Sequence, residues 1–186
     1  FYQLTAPERG FSLMSDGPLD MRMDRSRGRT AADLINHIAE PDLADLLFHY
    51  GGERRARRVA RAIVRARPIR TTRQLAQVVE AAVPRTKSRL HRSTKTFLAL
   101  RIAVNEEIEE LDALLEALPR LVGSGGRVVF ITFHSVEDRR VKLAFRALAQ
   151  SGKASLLTKH VVRPTREEVR ENPPSRSAKL RALEMN

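Results

Sequence analysis

One short apolar run constrains the fold of this chain more than any other feature of its sequence. Residues 128–133 read VVFITF, follow a Gly-Gly turn and end abruptly at the polar stretch HSVEDRR. A near-continuous apolar run of this kind is typical of a central parallel strand that is buried on both faces. Open α/β sheets bind ligands beyond the carboxyl ends of their strands. The run therefore predicts a sheet edge that presents His134, Ser135 and Asp138 to a cleft.

The same polar residues also have a purely structural interpretation. Ser135 can cap the helix that follows, while Glu137 and Asp138 complement the dipole of that helix. The two interpretations are compatible, and residue spacing alone favours neither of them.

The patterns around the apolar run predict an α/β fold. Apolar residues at helical spacing precede the run, and helical and strand-like segments alternate after it. The predicted ranges are one or two helices over 96–122, helices 137–150 and 165–171, and strands 128–133, 154–162 and 178–185. Elements in this order describe half of a doubly wound sheet.

A helical module precedes this α/β part. The stretch Thr30-Ala-Ala-Asp33 has the form of a capping box, and helical spacing of apolar residues recurs through residues 29–95. Residues 1–28 contain glycine and proline with apolar residues between them, which predicts a long but ordered loop. The sequence thus predicts a small all-helical unit between a loop and an α/β part.

The charge of the chain favours polyanionic partners. It carries 34 Lys and Arg against 22 Asp and Glu, a formal net charge of +12. Such a balance favours nucleic acid first and an anionic membrane second. No apolar run comes near the length of a membrane span, so no such span is expected. Of the two kinds of partner we expect nucleic acid and no membrane.

Four arginines repeat at helical spacing within the helical module. Arg54, Arg58, Arg61 and Arg65 lie on one predicted helix face, and between positions 53 and 73 nine arginines accompany one acid, Glu53. A charged face is usually only solvated. This imbalance, however, is poor for salt-bridge networks and good for phosphate contact, so it favours nucleic-acid binding.

Two shorter motifs each have two interpretations. The loop stretch DGPLDMRMD alternates apolar and charged residues, so Asp20 and Arg22 either point at a ligand or form ordinary surface ion pairs. Asn172-Pro-Pro-Ser175 resembles the (Asp/Asn)-Pro-Pro-aromatic loop of methyltransferases that act on exocyclic amines. Ser175 is not aromatic and the motif follows a helix, so we interpret this second match as a coincidence.

Composition excludes other classes of chemistry. Cysteine is absent, which excludes disulfides and thiolate catalysis and fits a cytoplasmic protein. The five histidines lack the spacing of metal ligands, so no metal site is expected. The chain begins with Phe1 rather than Met, so we expect that an N-terminal part is missing.

Four stretches together resemble one family. They are PERGFSLMSDGPLDMRMD, TKTFLALRIAVNEEIEEL, GGRVVFITFHSVEDRRVK and NPPSRSAKLRALE. The chain is similar, from Gln3 to Glu184, to the bacterial small-subunit rRNA cytosine-N4 methyltransferases, the RsmH or MraW family. The resemblance implies an S-adenosyl-L-methionine-dependent enzyme that acts on a cytidine in the decoding centre of 16S rRNA. It also implies a partial Rossmann-like methyltransferase core, residues 1–28 and 96–186, with residues 29–95 as an inserted all-helical domain for substrate recognition.

The resemblance also implies what this chain contributes to the cofactor site. The family's Gly-rich loop, acidic ribose-binding residue and Asp-Leu-Gly-Val-Ser-Ser segment match nothing here, and among the family's cofactor contacts only a glutamine matches, at Gln3. We therefore expect the 186-residue chain alone to be inactive and to show no measurable affinity for S-adenosyl-L-methionine.

For the reaction itself, residue type and placement indicate the roles. His134, Ser135 and Asp138 supply acceptors that can polarise a cytosine amine. The remaining candidates bind substrate and RNA. Asp20 and Arg22 can hold the base edge or a flanking phosphate. Arg101 and Asn105 lie one helical turn apart and can form a single polar patch. Two other classes stay open: a non-catalytic rRNA-binding or ribosome-assembly module, and an α/β enzyme with another nucleotide substrate.

Overall fold

The computed structural model describes residues 6–84 and 91–186. These residues form eight α-helices and three β-strands, arranged in two compact units, Phe1–Glu107 and Ile108–Asn186. The helices are α1 (Ala31–His37), α2 (Glu40–His49), α3 (Ala56–Arg65), α4 (Thr72–Ala82), α5 (Thr94–Val104), α6 (Glu107–Leu121), α7 (Ser135–Gln150) and α8 (Arg166–Glu171). No helix among them is long and apolar enough to cross a membrane.

The described part of the first unit contains five helices around one apolar core. Thr30 caps α1 and Thr71 caps α4, each in a capping box with the residue three positions on, which confirms the predicted box at Thr30. Helix α2 packs against α3 and α5, and α3 packs against α4. The core side chains recur at helical spacing and include Leu34, Ile35, Leu43, Leu47, Val59, Ile63, Leu75, Val79 and Leu100.

The loop of residues 6–28 belongs to this first unit. It is irregular apart from a short 3₁₀ turn at Pro7–Arg9, and Leu19 and Met21 are each only 1% exposed. The prediction of an ordered loop is confirmed for these residues. The compact unit extends through α5 to Glu107. The assignment of residues 29–95 to substrate recognition, and of the flanking segments to a methyltransferase core, stays a prediction.

The second unit is a small sheet covered by helices. Its strands are β1 (Arg127–Thr132), β2 (Ala154–Leu156) and β3 (Lys179–Met185). The apolar side chains of α6 and α7 pack with those of the sheet, and the rings of Phe130 and Phe145 meet edge to face with centroids 5.8 Å apart. A 3₁₀ turn at Pro173–Ser177 connects α8 to β3.

The pairing of the strands corrects the prediction of a doubly wound parallel sheet. The sheet order is β1-β3-β2, and β3 is antiparallel to both of its neighbours. Strands β1 and β2 therefore run in the same direction, as a β-α-β unit requires, but β3 lies between them. The order of elements along the chain was predicted correctly, whereas the insertion of β3 depends on tertiary pairing.

The burial of β1 corrects a second expectation. Its side chains alternate, because α7 covers only one face of the sheet: Val128 is 8% exposed, whereas Val129 and Ile131 are both 56% exposed. The strand is not buried on both faces in this structure. An apolar run without alternation in its sequence conceals this two-residue period, since both faces carry apolar side chains.

Candidate functional site

The turn after β1 begins α7 with a histidine cap. His134, not Ser135 as predicted, is the N-cap residue, and its ring accepts a hydrogen bond from the Glu137 backbone N–H at 3.5 Å. The Glu137 carboxylate accepts in turn from the N–H groups of Phe133 and His134 at 3.2 and 3.5 Å. This reciprocal arrangement is a capping box in which histidine takes the place of serine or threonine.

The side chains of His134 and Glu137 also meet directly. The imidazole Nε2 lies 2.9 Å from Glu137 Oε1, a close contact that forms no hydrogen bond. Burial opposes ionisation of Glu137. The His134 ring and the two backbone N–H groups outweigh burial and hold the pKa of Glu137 below its ordinary value. The carboxylate is therefore ionised at neutral pH.

Asp138 faces β3 rather than the end of its own helix. Its carboxylate accepts from Arg181 Nε at 2.7 Å and Nη2 at 3.3 Å, and Lys179 Nζ lies 3.8 Å away. All three side chains are at most 16% exposed. Burial alone would raise the pKa of Asp138. The hydrogen bond and charge of Arg181 and the charge of Lys179 have a larger, opposite effect, so the pKa of Asp138 lies below its ordinary value.

Ser135 differs from both of its neighbours in the site. It is exposed in the first turn of α7. Within the described part of the chain, its hydroxyl has no protein hydrogen bond. The structure thus brings all three predicted catalytic residues into one turn, but only the Ser135 hydroxyl is free to meet a ligand.

The prediction missed three residues of this turn's environment. Glu137 was considered only as a dipole partner, and Lys179 and Arg181 were not considered as site residues. The sequence does carry a signal for Lys179 and Arg181. They lie two residues apart on a predicted strand, which places both cations on one face of the sheet. Because Thr132 pairs with Lys179 in the sheet register, that face begins beside the end of β1.

In the first unit, Asp20 organises the 6–28 loop. Its side chain is 8% exposed and accepts hydrogen bonds from Arg22 Nε at 2.8 Å and Arg25 Nε at 3.1 Å. Arg22 also donates to the backbone carbonyls of Arg25 and Gly28, at 3.1 and 3.3 Å. Of the two predicted interpretations of this motif, the geometry favours local ion pairs. A role for Asp20 and Arg22 in holding a base or a phosphate stays a prediction.

Asn105 attaches the same loop to the end of α5. Its Oδ1 accepts from the Met23 N–H at 2.7 Å, and its Nδ2 donates to the carbonyls of Met21 and Arg101 at 2.8 Å each. Arg101 forms a bidentate pair with Glu107 at 2.7 and 2.8 Å. Arg101 and Asn105 thus point to different partners. Their role in RNA contact stays a prediction.

We predict that Asn105→Ala frees the loop without unfolding the unit. The change leaves the Met21 carbonyl and the Met23 N–H without their partner, at a cost of about 1–3 kcal/mol. Hydrogen exchange at the Met23 amide should accelerate, while exchange in α3 stays slow. Asn105→Asp keeps the acceptor for Met23 and should restore protection of that amide. Unchanged exchange at Met23 in Asn105→Ala would contradict this attachment.

The predicted arginine face lies on α3 and the turn before it. Arg54, Arg58, Arg61 and Arg65 are all exposed, while Val59 and Ile63 of the same helix are fully buried. Arg61 pairs with Glu40 at 3.3 Å and remains 61% exposed. The other three have no ion pair among the residues that the structure describes. Gln3, the predicted cofactor contact, lies outside those residues.

Comparison with known proteins adds to this geometry. The model of a family described as the MraW methylase family matches residues 1–186. The chain is 65% identical over 184 residues to the ribosomal RNA small subunit methyltransferase H of Solibacter usitatus, covering 99% of this chain and 64% of the relative. It is 53% identical over 183 residues to the protein of the same name from Acidobacterium capsulatum, covering 98% of this chain and 62% of that relative. The chain thus spans about 62–64% of the length of these curated relatives.

Proposed function

The chain belongs to the MraW methylase family, and on that premise we propose that it acts within an rRNA methyltransferase. The reaction is the transfer of a methyl group from S-adenosyl-L-methionine to N4 of a cytidine in the decoding centre of 16S rRNA. The whole-length family match carries this proposal, since relatives at 65% and 53% identity are named ribosomal RNA small subunit methyltransferase H. The proposed fold is a Rossmann-like core with an inserted helical domain, and the proposed compartment is the cytoplasm.

The described residues fit the amine side of this reaction better than the cofactor side. Bound S-adenosyl-L-methionine supplies an electrophilic methyl group on a sulfonium. Gln3, the contact that the resemblance assigns to it, lies outside the described residues. The turn after β1 instead offers a free Ser135 hydroxyl, which can accept a hydrogen bond from an amine, beside two ionised carboxylates that already have protein partners. We therefore assign the described residues to the base and its amine.

The chemistry of the amine explains why acceptors are needed. The lone pair of a cytosine amine is delocalised into the ring, so transfer requires position and polarisation of the N–H groups. Ser135 is the candidate that touches the amine, because its hydroxyl is exposed and unpaired within the described residues. His134 and Asp138 are positioning residues: His134 caps α7, and Asp138 holds Arg181 and Lys179 beside the same turn.

The lowered pKa values restrict the acid–base role of the turn. Asp138 and Glu137 are ionised at neutral pH and so do not donate a proton. Methylation makes the nitrogen acidic, and its proton can then leave to water or to a nearby acceptor. A carboxylate of lowered pKa is also a weak base, so we assign the turn a role in orienting the amine rather than in deprotonating it before transfer.

A methyl-transfer assay tests the proposal. The whole protein is incubated with tritiated S-adenosyl-L-methionine and either naked 16S rRNA or small ribosomal subunits, and the labelled nucleoside is identified. Label in N4-methylcytidine supports the proposal. RNA binding without transfer favours the non-catalytic rRNA-binding module, for which the arginine face alone suffices. Label transferred only to another nucleotide substrate favours the different α/β enzyme.

We further propose that the arginine face binds rRNA phosphates, and we predict the effect of removing it. Arg54→Gln with Arg58→Gln should leave the melting temperature nearly unchanged, since both side chains are exposed. Each lost phosphate contact should lower the slope of log affinity against log salt by roughly 0.7–0.9. The slope is measured by titrating labelled RNA at several salt concentrations.

The second unit offers a matched control for this pair. Arg166 and Arg170 are exposed and, like Arg54 and Arg58, lie four residues apart, so Arg166→Gln with Arg170→Gln removes the same charge. We expect the control to change the slope of log affinity against log salt less than Arg54→Gln with Arg58→Gln does. Equal slopes in both double variants would show that net charge alone, and not the arginine face, governs RNA binding.

A further inference from the structure

An aromatic side chain stands exposed beside the arginine face. Phe48 lies in the last turn of α2 and is 54% exposed. Its ring packs edge to face on His49, with centroids 5.2 Å apart and an interplanar angle of 81°. The Phe48 ring therefore has one aromatic neighbour, while its side chain remains open to solvent.

The Phe48 ring lies in a groove formed by α2 and the start of α3. The groove has a volume of about 630 Å³, within the range of roughly 300–1,000 Å³ that is typical of small-ligand sites. Its lining residues are Ala44, Asp45, Phe48, His49, Arg54, Arg55, Ala56, Arg57 and Arg58. Besides the aromatic pair, its apolar lining is two alanines, which is little area for holding a protein partner.

The charge of this groove is unbalanced. Four arginines line it against one acid, Asp45. Arg54, Arg55, Arg57 and Arg58 form no ion pair within the described residues, and the sequence of the remaining residues, 1–5 and 85–90, contains no acid. Exposed guanidinium groups without counter-charges attract phosphate.

We propose that this groove binds one unstacked nucleotide of RNA, with its base on the Phe48 ring and its flanking phosphates on the arginines. Aromatic rings in a positively charged groove are the usual platform for single-stranded nucleic acid, because every base has a π face. Stacking on Phe48 and phosphate contact by the arginines of residues 54–58 contribute separately to RNA affinity. The proposal rests on the proposed rRNA function and names the form of RNA that the helical unit recognises.

The absence of tryptophan from the chain provides a direct test. Phe48→Trp introduces the only indole of the 186-residue chain at the proposed platform, and a stacked base quenches indole fluorescence. We expect a short oligouridine to quench Trp fluorescence over the same concentrations at which labelled RNA binds. Inorganic polyphosphate, which carries the charge without the bases, should bind without quenching.

Two further variants separate stacking from charge. Leu121→Trp places the indole at a 67% exposed position in the second unit, where no quenching is expected. Phe48→Ala should weaken oligouridine binding about tenfold and leave the salt slope unchanged. Arg54→Gln with Arg58→Gln should instead change the slope.

The outcomes distinguish this inference from the proposed function. One outcome is that RNA binds with a salt dependence that requires Arg54 and Arg58 while the fluorescence of Phe48→Trp is not quenched. In that case the stacking of a base on Phe48 is wrong, whereas rRNA binding stands. Equal quenching by polyphosphate, or by RNA at position 121, also overturns stacking. If oligouridine does not bind the chain at all, both the platform and the proposed phosphate contact of the arginine face fail.

Discussion

Asp138→Asn in the whole protein is expected to lower methyl transfer about 100-fold, equivalent to about 2.7 kcal/mol. Asparagine is close in shape to aspartate, but it carries no charge for the bidentate bond to Arg181 and the contact with Lys179. Arg181 and Lys179 should then no longer be held at a fixed position beside the turn that carries Ser135. Because Asp138 acts through other residues, kcat should fall while KM for small ribosomal subunits stays nearly constant. His134→Ala should give a similar loss, since it removes the cap of α7.

A second ion pair of the same unit controls for stability. Asp112 on α6 pairs with Arg140 on α7, so Asp112→Asn also removes one carboxylate from an arginine, in a pair whose side chains are 36% and 44% exposed. Melting temperatures of the variants are measured first, and transfer is then assayed well below them. Near-normal turnover in both Asp138→Asn and His134→Ala would mean that the turn is only a helix cap and an ion pair.

Asp20→Asn is expected to destabilise the first unit by about 3 kcal/mol at neutral pH. Its carboxylate is 8% exposed and is shared by Arg22 and Arg25, and removing one partner of a buried charge pair carries a cost of this order. The guanidinium of Arg22, 21% exposed, then lacks its charge partner. Urea unfolding of wild type and variant measures the difference.

The pH dependence of this difference has a definite sign. Burial alone would raise the pKa of Asp20. The hydrogen bonds from Arg22 and Arg25 have a larger, opposite effect and hold this pKa below its ordinary value of 3.8. A lowered folded-state pKa stabilises the protein above the unfolded-state pKa, and the stabilisation is lost as pH falls through the folded-state value. The advantage of wild type over Asp20→Asn should therefore be constant from pH 7 to about 5 and shrink below about 4.

The same loop provides a control for Asp20. Asp24 also has a lowered pKa, through the side-chain hydroxyl and backbone N–H of Ser26, but its side chain is 52% exposed. Asp24→Asn should therefore change the unfolding midpoint far less than Asp20→Asn. Equal losses in the two variants would show that burial of the Asp20 cluster contributes nothing to stability.

Local patterns in the sequence were sufficient to place most elements. The Thr30 capping box, the helical spacing of apolar residues and the glycine turn before β1 predicted elements at the right places in the chain. The range 96–122 corresponds to two helices, α5 and α6, and the predicted strand 154–162 is shorter in the structure, Ala154–Leu156. These signals are local, because capping and helical periodicity join residues three or four positions apart. The grouping of His134, Ser135 and Asp138 in one turn was predictable for the same reason.

Strand pairing and the partners of long side chains were decided only by tertiary structure. No local signal shows that β3 inserts between β1 and β2, because strand order is set by contacts between distant segments. The pairing of Asp138 with Arg181 joins residues 43 positions apart. Likewise, no local signal in the sequence shows that the Phe48 ring is exposed among arginines, because this depends on how α2 packs on α3. Short-range periodicity thus determined which residues lie on a helix or strand, while the surfaces that carry the proposed chemistry arose from long-range packing.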